Sequence, residues 1–286
     1  MADAPEGSTP NYLRGRTVMI TGAGSGFGRL TASMLGSLGA SIVALDIEGA
    51  AAQATVDSII DAGGAAVMVQ ADVTQKEQMD AAAKTAVDRF GSIDVLVNNA
   101  GVMPLAFFAD HAAAWQAWDR SIDINIKGVV NGITAVYDQM IEQGRGHIVN
   151  ISSIYGNQGT AGSGVYSATK AAVVVLSDAL RVEAQGKIKV TVVRPTGVPG
   201  TALAAGVVNP AAIIGLTGQN MVQFGERYQS WAEGTMPAPQ REPDDVRYWT
   251  LSPEDLAAQI VAVINLPWGV NISDVTVRAT GEDYIN

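Results

Sequence analysis

Residues 17–28 read Thr17-Val18-Met19-Ile20-Thr21-Gly22-Ala23-Gly24-Ser25-Gly26-Phe27-Gly28, and an Ala/Leu-rich stretch follows to Leu38. An apolar run ends in a cluster of glycines, and the cluster opens a helix. Glycines at such a turn let the backbone bend tightly and approach a phosphate, whose charge a helix N-terminus stabilises. The spacing is G-x-x-x-G-x-G rather than G-x-G-x-x-G, and no G-K-[ST] follows to make a P-loop. By itself the cluster reads as a flexible turn. The strand before it and the helix after it favour the phosphate site.

The same alternation continues outward. Apolar runs at 42–45, 66–69, 93–97, 147–151, 190–193 and 275–277 predict strands. Between and after them, helices are predicted near 49–62, 75–90, 112–141, 164–185 and 253–264. Strands alternating with helices point to βαβ units, and apolar rather than alternating strands point to a sheet covered on both faces. The expected fold is α/β: a Rossmann-like, doubly wound parallel sheet of about seven strands. Residues 13–286 are expected to form a single domain, preceded by a flexible tail at 1–12.

Composition narrows the function. The chain has 286 residues, 48% hydrophobic and 16% charged, too apolar for a disordered protein. A formal net charge of -10 opposes nucleic acid and anionic membranes as partners. There is no cysteine, and His111 and His147 are the only histidines, so no metal site is expected. The start, MADAPEGSTPNY, lacks the apolar core of a secretory signal, and no run is long enough to span a bilayer. A cytoplasmic protein acting on a small molecule is the expectation.

Five positions carry candidate chemistry. Asp46 closes the second strand, where a carboxylate can accept both hydroxyl hydrogens of an adenosine ribose. It would repel a 2'-phosphate by about 4 kcal/mol at close range and intermediate dielectric. Tyr166 and Lys170, in Tyr-Ser-Ala-Thr-Lys, are one helical turn apart on one face. A phenol titrates near ~10, and bringing it to neutrality takes about 4 kcal/mol, which an adjacent ammonium helps supply. Ser153 stands just past a strand's carboxyl end, where open α/β sheets bind ligands. Asn125 lies inside the long helix, where a buried amide must find partners.

With these residues in order, the chain resembles the short-chain dehydrogenase/reductase superfamily over residues 14–280. Thr21 to Gly28 is similar to its coenzyme loop, Asn98-Asn99-Ala100-Gly101 to its NNAG element, and Asp72-Val73 to its adenine-holding pair. Asn125, Ser153, Tyr166 and Lys170 match its catalytic tetrad. The resemblance implies an NAD coenzyme held by Gly22, Ser25, Gly26, Phe27, Gly28, Asp46, Asp72, Val73, Asn99, Ala100, Gly101, Val198 and Thr201, with Tyr166 and Lys170. It implies Tyr166 as general acid/base, Lys170 on the nicotinamide ribose and lowering the Tyr166 pKa, Ser153 on the reacting oxygen, and Asn125 holding a relay water. One departure stands out: Pro195-Thr196-Gly197-Val198-Pro199-Gly200-Thr201 replaces the family's Pro-Gly, and displaces the Thr by one.

From Pro195 to Gly225 the chain has no charged residue. Phe224, Tyr228, Trp231 and Met236 follow, and a substrate-covering lid at about 196–250 gives them something to bury against. Met103, Tyr155 and Phe107 are expected on the opposite rim, with Ser153 and Tyr166 completing the substrate contacts. Such a site suits a neutral, bulky, apolar secondary alcohol or its ketone. A catalytically idle dinucleotide sensor and an enzyme for sugars or hydroxy-acyl compounds are the alternatives. A serine hydrolase fails, because no G-x-S-x-G elbow exists. Helices with apolar residues beyond one stripe, such as Val173-Val174-Val175-Leu176, lead to an expected homotetramer.

Overall fold

The computed structural model describes residues 10–285. Its strands are β1 Thr17–Thr21, β2 Ser41–Asp46, β3 Ala65–Gln70, β4 Val95–Asn98, β5 Gly146–Ile151, β6 Ile188–Pro195 and β7 Asp274–Val277. They form one sheet in the order β3-β2-β1-β4-β5-β6-β7, parallel at every pairing. The order reverses between β1 and β4, so a crevice opens beyond their carboxyl ends. This is the Rossmann-like sheet the sequence predicts.

Around it lie α1 Gly26–Ser37, α2 Gly49–Asp61, α3 Lys76–Phe90, α4 His111–Ile122, α5 Gly128–Glu142 and α6 Gly164–Glu183. Short pieces follow, α7 Ile214–Thr217, α8 Met221–Ala232 and α9 Ala238–Arg241, then α10 Pro253–Ile264. Leu35 of α1, Ile59 of α2 and Ile260 of α10 share one core with Ile20 and Val97. Met79 of α3, Val136 of α5 and Leu180 of α6 share a second with Met19 and Leu96. Adjacent residues of one strand thus enter opposite cores, which is why β1, β4 and β5 are buried at every position.

Three details differ from the sequence reading. The run 112–141 is not one uniform helix: α4 passes through a π turn, Asp123–Lys127, into α5. Asn125 sits on that turn, a local widening that 3.6-residue periodicity cannot signal. Part of the segment expected to be a flexible tail is fastened. Asn11 Nδ2 donates to the Leu38 carbonyl at 2.8 Å and Tyr12 N to Asn265 Oδ1 at 2.8 Å, so the chain is tied down before residue 13. Residues 1–9 of that tail lie outside the described residues. Finally, the C-terminal segment fastens the 196–250 region. The buried Asp283 carboxylate accepts from Arg227 of α8 and from Trp249 Nε1, both at 2.7 Å, and Ile285 N donates to the Leu216 carbonyl. Among the described residues, no helix is long and apolar enough to cross a membrane.

Candidate active site

The carboxyl ends of the central strands open into a cavity of about 1190 Å³. Its walls include Gly22, Ser25, Gly26, Phe27 and Asp46, then Asp72, Val73, Asn99, Ala100 and Gly101. They also include Met103, Ser153, Tyr155, Tyr166, Lys170, Val198 and Thr201. Of the catalytic and coenzyme residues nominated from sequence, Gly28 and Asn125 do not line it. Both stand behind the wall and shape it.

The glycine loop is fastened to the NNAG element. Asn99 Nδ2 donates to the carbonyls of Thr21 and Gly22 at 2.9 and 3.2 Å, while Thr21 Oγ1 accepts from the amides of Asn99 and Ala100, each at 3.0 Å. A Cβ at Gly28 would stand 2.1 Å from the Gly22 carbonyl oxygen. Gly28 is therefore needed for close packing of helix on loop, not for contact with a ligand. At Gly26, with φ of 50°, a Cβ would meet nothing within 4 Å. Ser25 makes no side-chain cap, and no acidic residue occupies the first turn of α1. The unpaired N–H groups of that turn, beside open space, fit the pyrophosphate of a dinucleotide.

Asp46 is fixed at the end of β2. Its Oδ2 accepts from Gly24 N at 2.8 Å and its Oδ1 from Glu48 N at 3.0 Å. Each oxygen keeps a second acceptor site for a ribose hydroxyl. Below the site, a chain of buried amides holds the floor: Asn98 Nδ2 donates to Asn150 Oδ1, and Asn150 Nδ2 to Ser177 Oγ, both at 2.8 Å.

The reacting groups converge from β5 and α6. The Ser153 and Tyr166 hydroxyls are hydrogen-bonded, and Ser153 Oγ also accepts from Tyr155 N at 3.2 Å. Lys170 Nζ donates to the Ile151 carbonyl at 2.9 Å and lies 5.9 Å from the Tyr166 ring centre. Asn125 Nδ2 donates to the Val102 carbonyl and Thr169 Oγ1, and its Oδ1 accepts from Val102 N. Both amide hydrogens are thus used. The side chain clamps the chain after β4 against α6, and a relay water of the kind the sequence suggested would have to donate to Oδ1, which has a second acceptor site.

Charge follows burial. The Tyr166 phenol is held above its ordinary value by burial, with the Ser153 hydrogen bond opposing. The lowering by Lys170 expected from sequence is not the governing effect here, because the ammonium is aimed at the Ile151 carbonyl and the phenol lies in an apolar wall. Burial pushes Lys170 itself down, from 10.5 to about 8. A lysine whose folded pKa lies below its unfolded value destabilises the fold wherever the ammonium must stay charged. That penalty, about 3 kcal/mol, is complete below pH ~8 and disappears as pH rises toward 10.5. Lys170→Met should therefore raise the Tm of the coenzyme-free protein near pH 7, and the gain should vanish by pH ~10. A constant difference across that range in calorimetry would contradict this account.

Sequence reasoning missed part of the far wall. Leu203, Leu216, Met221, Trp249 and Tyr284 line the cavity beside Phe224 and Tyr228. Trp231 and Met236, expected there, do not reach it, and Met236 is buried elsewhere. Phe107 packs behind Tyr155 without lining the cavity. Thr201 does line it, despite the altered turn, with its hydroxyl donating to the Val198 carbonyl at 3.3 Å. Neither histidine faces the site: His147 is buried against Thr191 and His111 begins α4. Among the described residues, no cluster of side chains could hold a metal ion.

A parallel sheet with this crevice and this hydroxyl pair defines a dinucleotide-fold oxidoreductase, and comparison with known proteins agrees. Residues 16–211 match the short chain dehydrogenase family, and the chain belongs to it. An uncharacterized oxidoreductase of Staphylococcus aureus (strain MW2) is 32% identical over 271 residues, 93% of this chain and 98% of that protein. A solved 7α-hydroxysteroid dehydrogenase, complexed with NADH and 7-oxo glycochenodeoxycholic acid, is 26% identical, with a TM-score of 0.75 over 96% of this chain and 97% of its own. A metagenomic short-chain oxidoreductase in complex with NADP is 27% identical, with a TM-score of 0.69 over 93% and 98%.

Proposed function

We propose that this oxidoreductase uses NAD(H) to interconvert a neutral, bulky, largely apolar secondary alcohol and its ketone. One observation carries the reading: the Ser153–Tyr166 hydroxyl pair lines the same cavity as the N-terminus of α1 and Asp46. The coenzyme, when bound, supplies the hydride acceptor or donor. Gly22, Ser25, Gly26 and Phe27 would hold its pyrophosphate, Asp46 the adenosine ribose, and Asp72 with Val73 the adenine. Asn99, Ala100 and Gly101 would flank it, Lys170 would take the nicotinamide ribose, and Val198 and Thr201 would serve the nicotinamide.

The chain's own chemistry is a proton transfer. Tyr166 removes the hydroxyl proton of an alcohol on oxidation and returns it to the ketone oxygen on reduction. Ser153 hydrogen-bonds that oxygen and orients it. Lys170, on the same face of α6, supplies positive charge that favours the phenolate in the working complex. Asn125 acts through position, holding Val102 and Thr169.

The substrate class follows from the wall. Leu203, Leu216, Met221, Phe224 and Trp249 are apolar or nearly so, and the cavity's cations are Lys170 and Arg120. Arg120 is exposed, beside Asp119 and Asp123 on the same wall. A buried carboxylate would find no dedicated partner and would cost several kcal/mol. The 7-oxo acid bound by the solved relative with NADH supports a large ketone, while the neutral charge of the substrate rests on the lining of this cavity alone.

Initial rates test the reading. NAD+ should exceed NADP+ in kcat/KM by about tenfold or more, since Asp46 repels a 2'-phosphate, and Asp46→Ala should narrow the gap. A cyclic or aryl secondary alcohol should exceed a hydroxy acid of similar size. Equal use of both coenzymes, or a better hydroxy acid, would overturn it. The same reading extends to assembly as a homotetramer through the α4–α5 and α6 surfaces, where Trp115, Val175 and Val182 are exposed. Light scattering that returns 29.7 kDa at every concentration would refute the assembly.

A further inference from the structure

The turn that follows β6 is built against the C-terminal strap. Thr196 comes directly after the strand, and both it and Gly197 line the cavity. Their backbone is held from two sides: Thr196 N donates to the Val277 carbonyl of β7, and Thr250 Oγ1 to the Gly197 carbonyl, each at 3.1 Å. Gly197 lies under Tyr284 of the strap, whose hydroxyl a Cβ at that position would overlap. Two residues earlier in the strap, the Glu282 side chain is buried, with Arg278 Nε donating to its Oε1 at 2.6 Å.

The second carboxylate oxygen decides what this contact is for. Glu282 Oε2 and Thr196 Oγ1 are both buried, and among the described residues neither has a partner apart from the other. Burial raises the Glu282 pKa, and the Thr196 hydroxyl, placed as donor beside the carboxylate, opposes the rise together with Arg278. A buried acceptor that loses its donor is costly, so each of the two fixes the other. The turn then cannot shift without leaving a carboxylate oxygen bare. Val198 and Thr201, next along the chain, line the cavity, and the Thr201 hydroxyl closes the turn on the Val198 carbonyl at 3.3 Å. A displacement at Thr196 would therefore carry both of them.

We propose that Glu282 is a positioning residue of the coenzyme site: through the Thr196 hydroxyl it holds the turn after β6, and with it Val198 and Thr201, in place for the nicotinamide. This rests on the coenzyme reading above and extends it to the C-terminal strap. Glu282 does not itself line the cavity, so it acts only through Thr196. The next strap residue, Asp283, holds Arg227 of α8 and Trp249, so one short segment fastens both the cover of the cavity and the turn beneath it.

The test titrates NADH and ADP-ribose, which lacks the nicotinamide, by calorimetry, so that binding is read without turnover. Thr196→Val keeps the shape of the side chain and removes its hydroxyl. It should weaken NADH about tenfold, the scale of a hydrogen bond to a charged group, and ADP-ribose by less than about twofold. Thr196→Ser, which keeps the hydroxyl, should restore NADH to within about twofold of wild type. Glu282→Ala should reproduce the loss of Thr196→Val, and the double variant should lose no more than either single one, as expected of two groups acting as one unit. Equal losses for the two ligands, additive losses in the double variant, or a serine variant as weak as the valine one would each overturn the proposal. If Glu282→Ala does not fold, the valine and serine variants decide alone. Failure of the underlying reading looks different: a wild type that binds neither ligand would overturn the coenzyme site and the proposal together.

Discussion

Tyr166→Phe should fold and bind NADH as the wild type does, and should lose kcat by about 10²–10⁴-fold, the range supplied by general acid–base catalysis. The change deletes one oxygen. The ring stays buried against Tyr155, and α6 keeps its packing through Val173 and Leu180. What is lost is the hydroxyl that both hydrogen-bonds Ser153 and shares a helix face with Lys170. The structure also argues that the effect falls on kcat rather than on KM. The apolar side chains proposed to hold a substrate come from the opposite wall and are untouched by the substitution. Removing the phenolic hydroxyl also breaks its hydrogen bond to Ser153, a loss of about 1 kcal/mol, so the Tm should fall by no more than about 4 °C. Stopped-flow reduction with saturating NADH separates the outcomes. A phenylalanine variant that turns over within about tenfold of wild type would remove Tyr166 as the acid/base, whatever its neighbours.

The contrast between Tyr166 and Asn125 shows how far the sequence could be read. Tyr166 and Lys170 are four residues apart on a helix that stays helical, so their shared face follows from periodicity alone. The strands were equally legible, because a parallel sheet buried on both sides leaves unbroken apolar runs between glycine turns. Asn125 is different. Its spacing identified it, but its role depends on a π turn and on two long-range partners, Val102 and Thr169, and neither leaves a mark in the pattern. Gly28 was legible as part of the loop and misread as a contact, because a motif says which residues matter without saying which side of the backbone they serve.

The far wall was the least legible part. The uncharged stretch after Pro195 announced a cover, and Phe224 and Tyr228 do line the cavity. Trp231 and Met236 do not. Trp231 is one turn beyond Tyr228 on the same side of α8, its ring against that of Tyr228 and off the cavity wall. Met236 lies past the end of the helix and is buried elsewhere. Tyr284 could not have been found by any local signal. It reaches the cavity because the C-terminus folds back over the 196–250 segment, secured by the Asp283 contacts to Arg227 and Trp249. Such contacts span long sequence separations, and they are fixed by the tertiary fold and not by propensity.

Gly28→Ala should be the most damaging single methyl group in the coenzyme loop. Its backbone dihedrals are open to alanine, so the cost is not conformational. It is steric: the new carbon would lie 2.1 Å from the Gly22 carbonyl oxygen and 2.6 Å from Asn99 Nδ2. Neither neighbour is free to yield. The Gly22 carbonyl accepts from that same Asn99 amide, which also holds Thr21, so moving one displaces the bolt between loop and NNAG element. Overpacking of this kind costs about 3 kcal/mol, a Tm loss of about 5–10 °C for a domain of this size. NADH affinity should fall with it, because the first turn of α1 cannot keep its place against the loop. Gly26→Ala makes the control. There the methyl group meets no atom, and the positive φ costs only about 1–2 kcal/mol, so its Tm loss should be the smaller one. Since that methyl would stand beside the cavity, its coenzyme affinity should still drop. Calorimetry paired with NADH fluorescence titration therefore distinguishes the two glycines: Gly28 through stability and binding together, Gly26 chiefly through binding. If Gly28→Ala melted and bound NADH as the wild type does, the close approach of helix to loop would be wrong, and the phosphate cradle built on it would fall too.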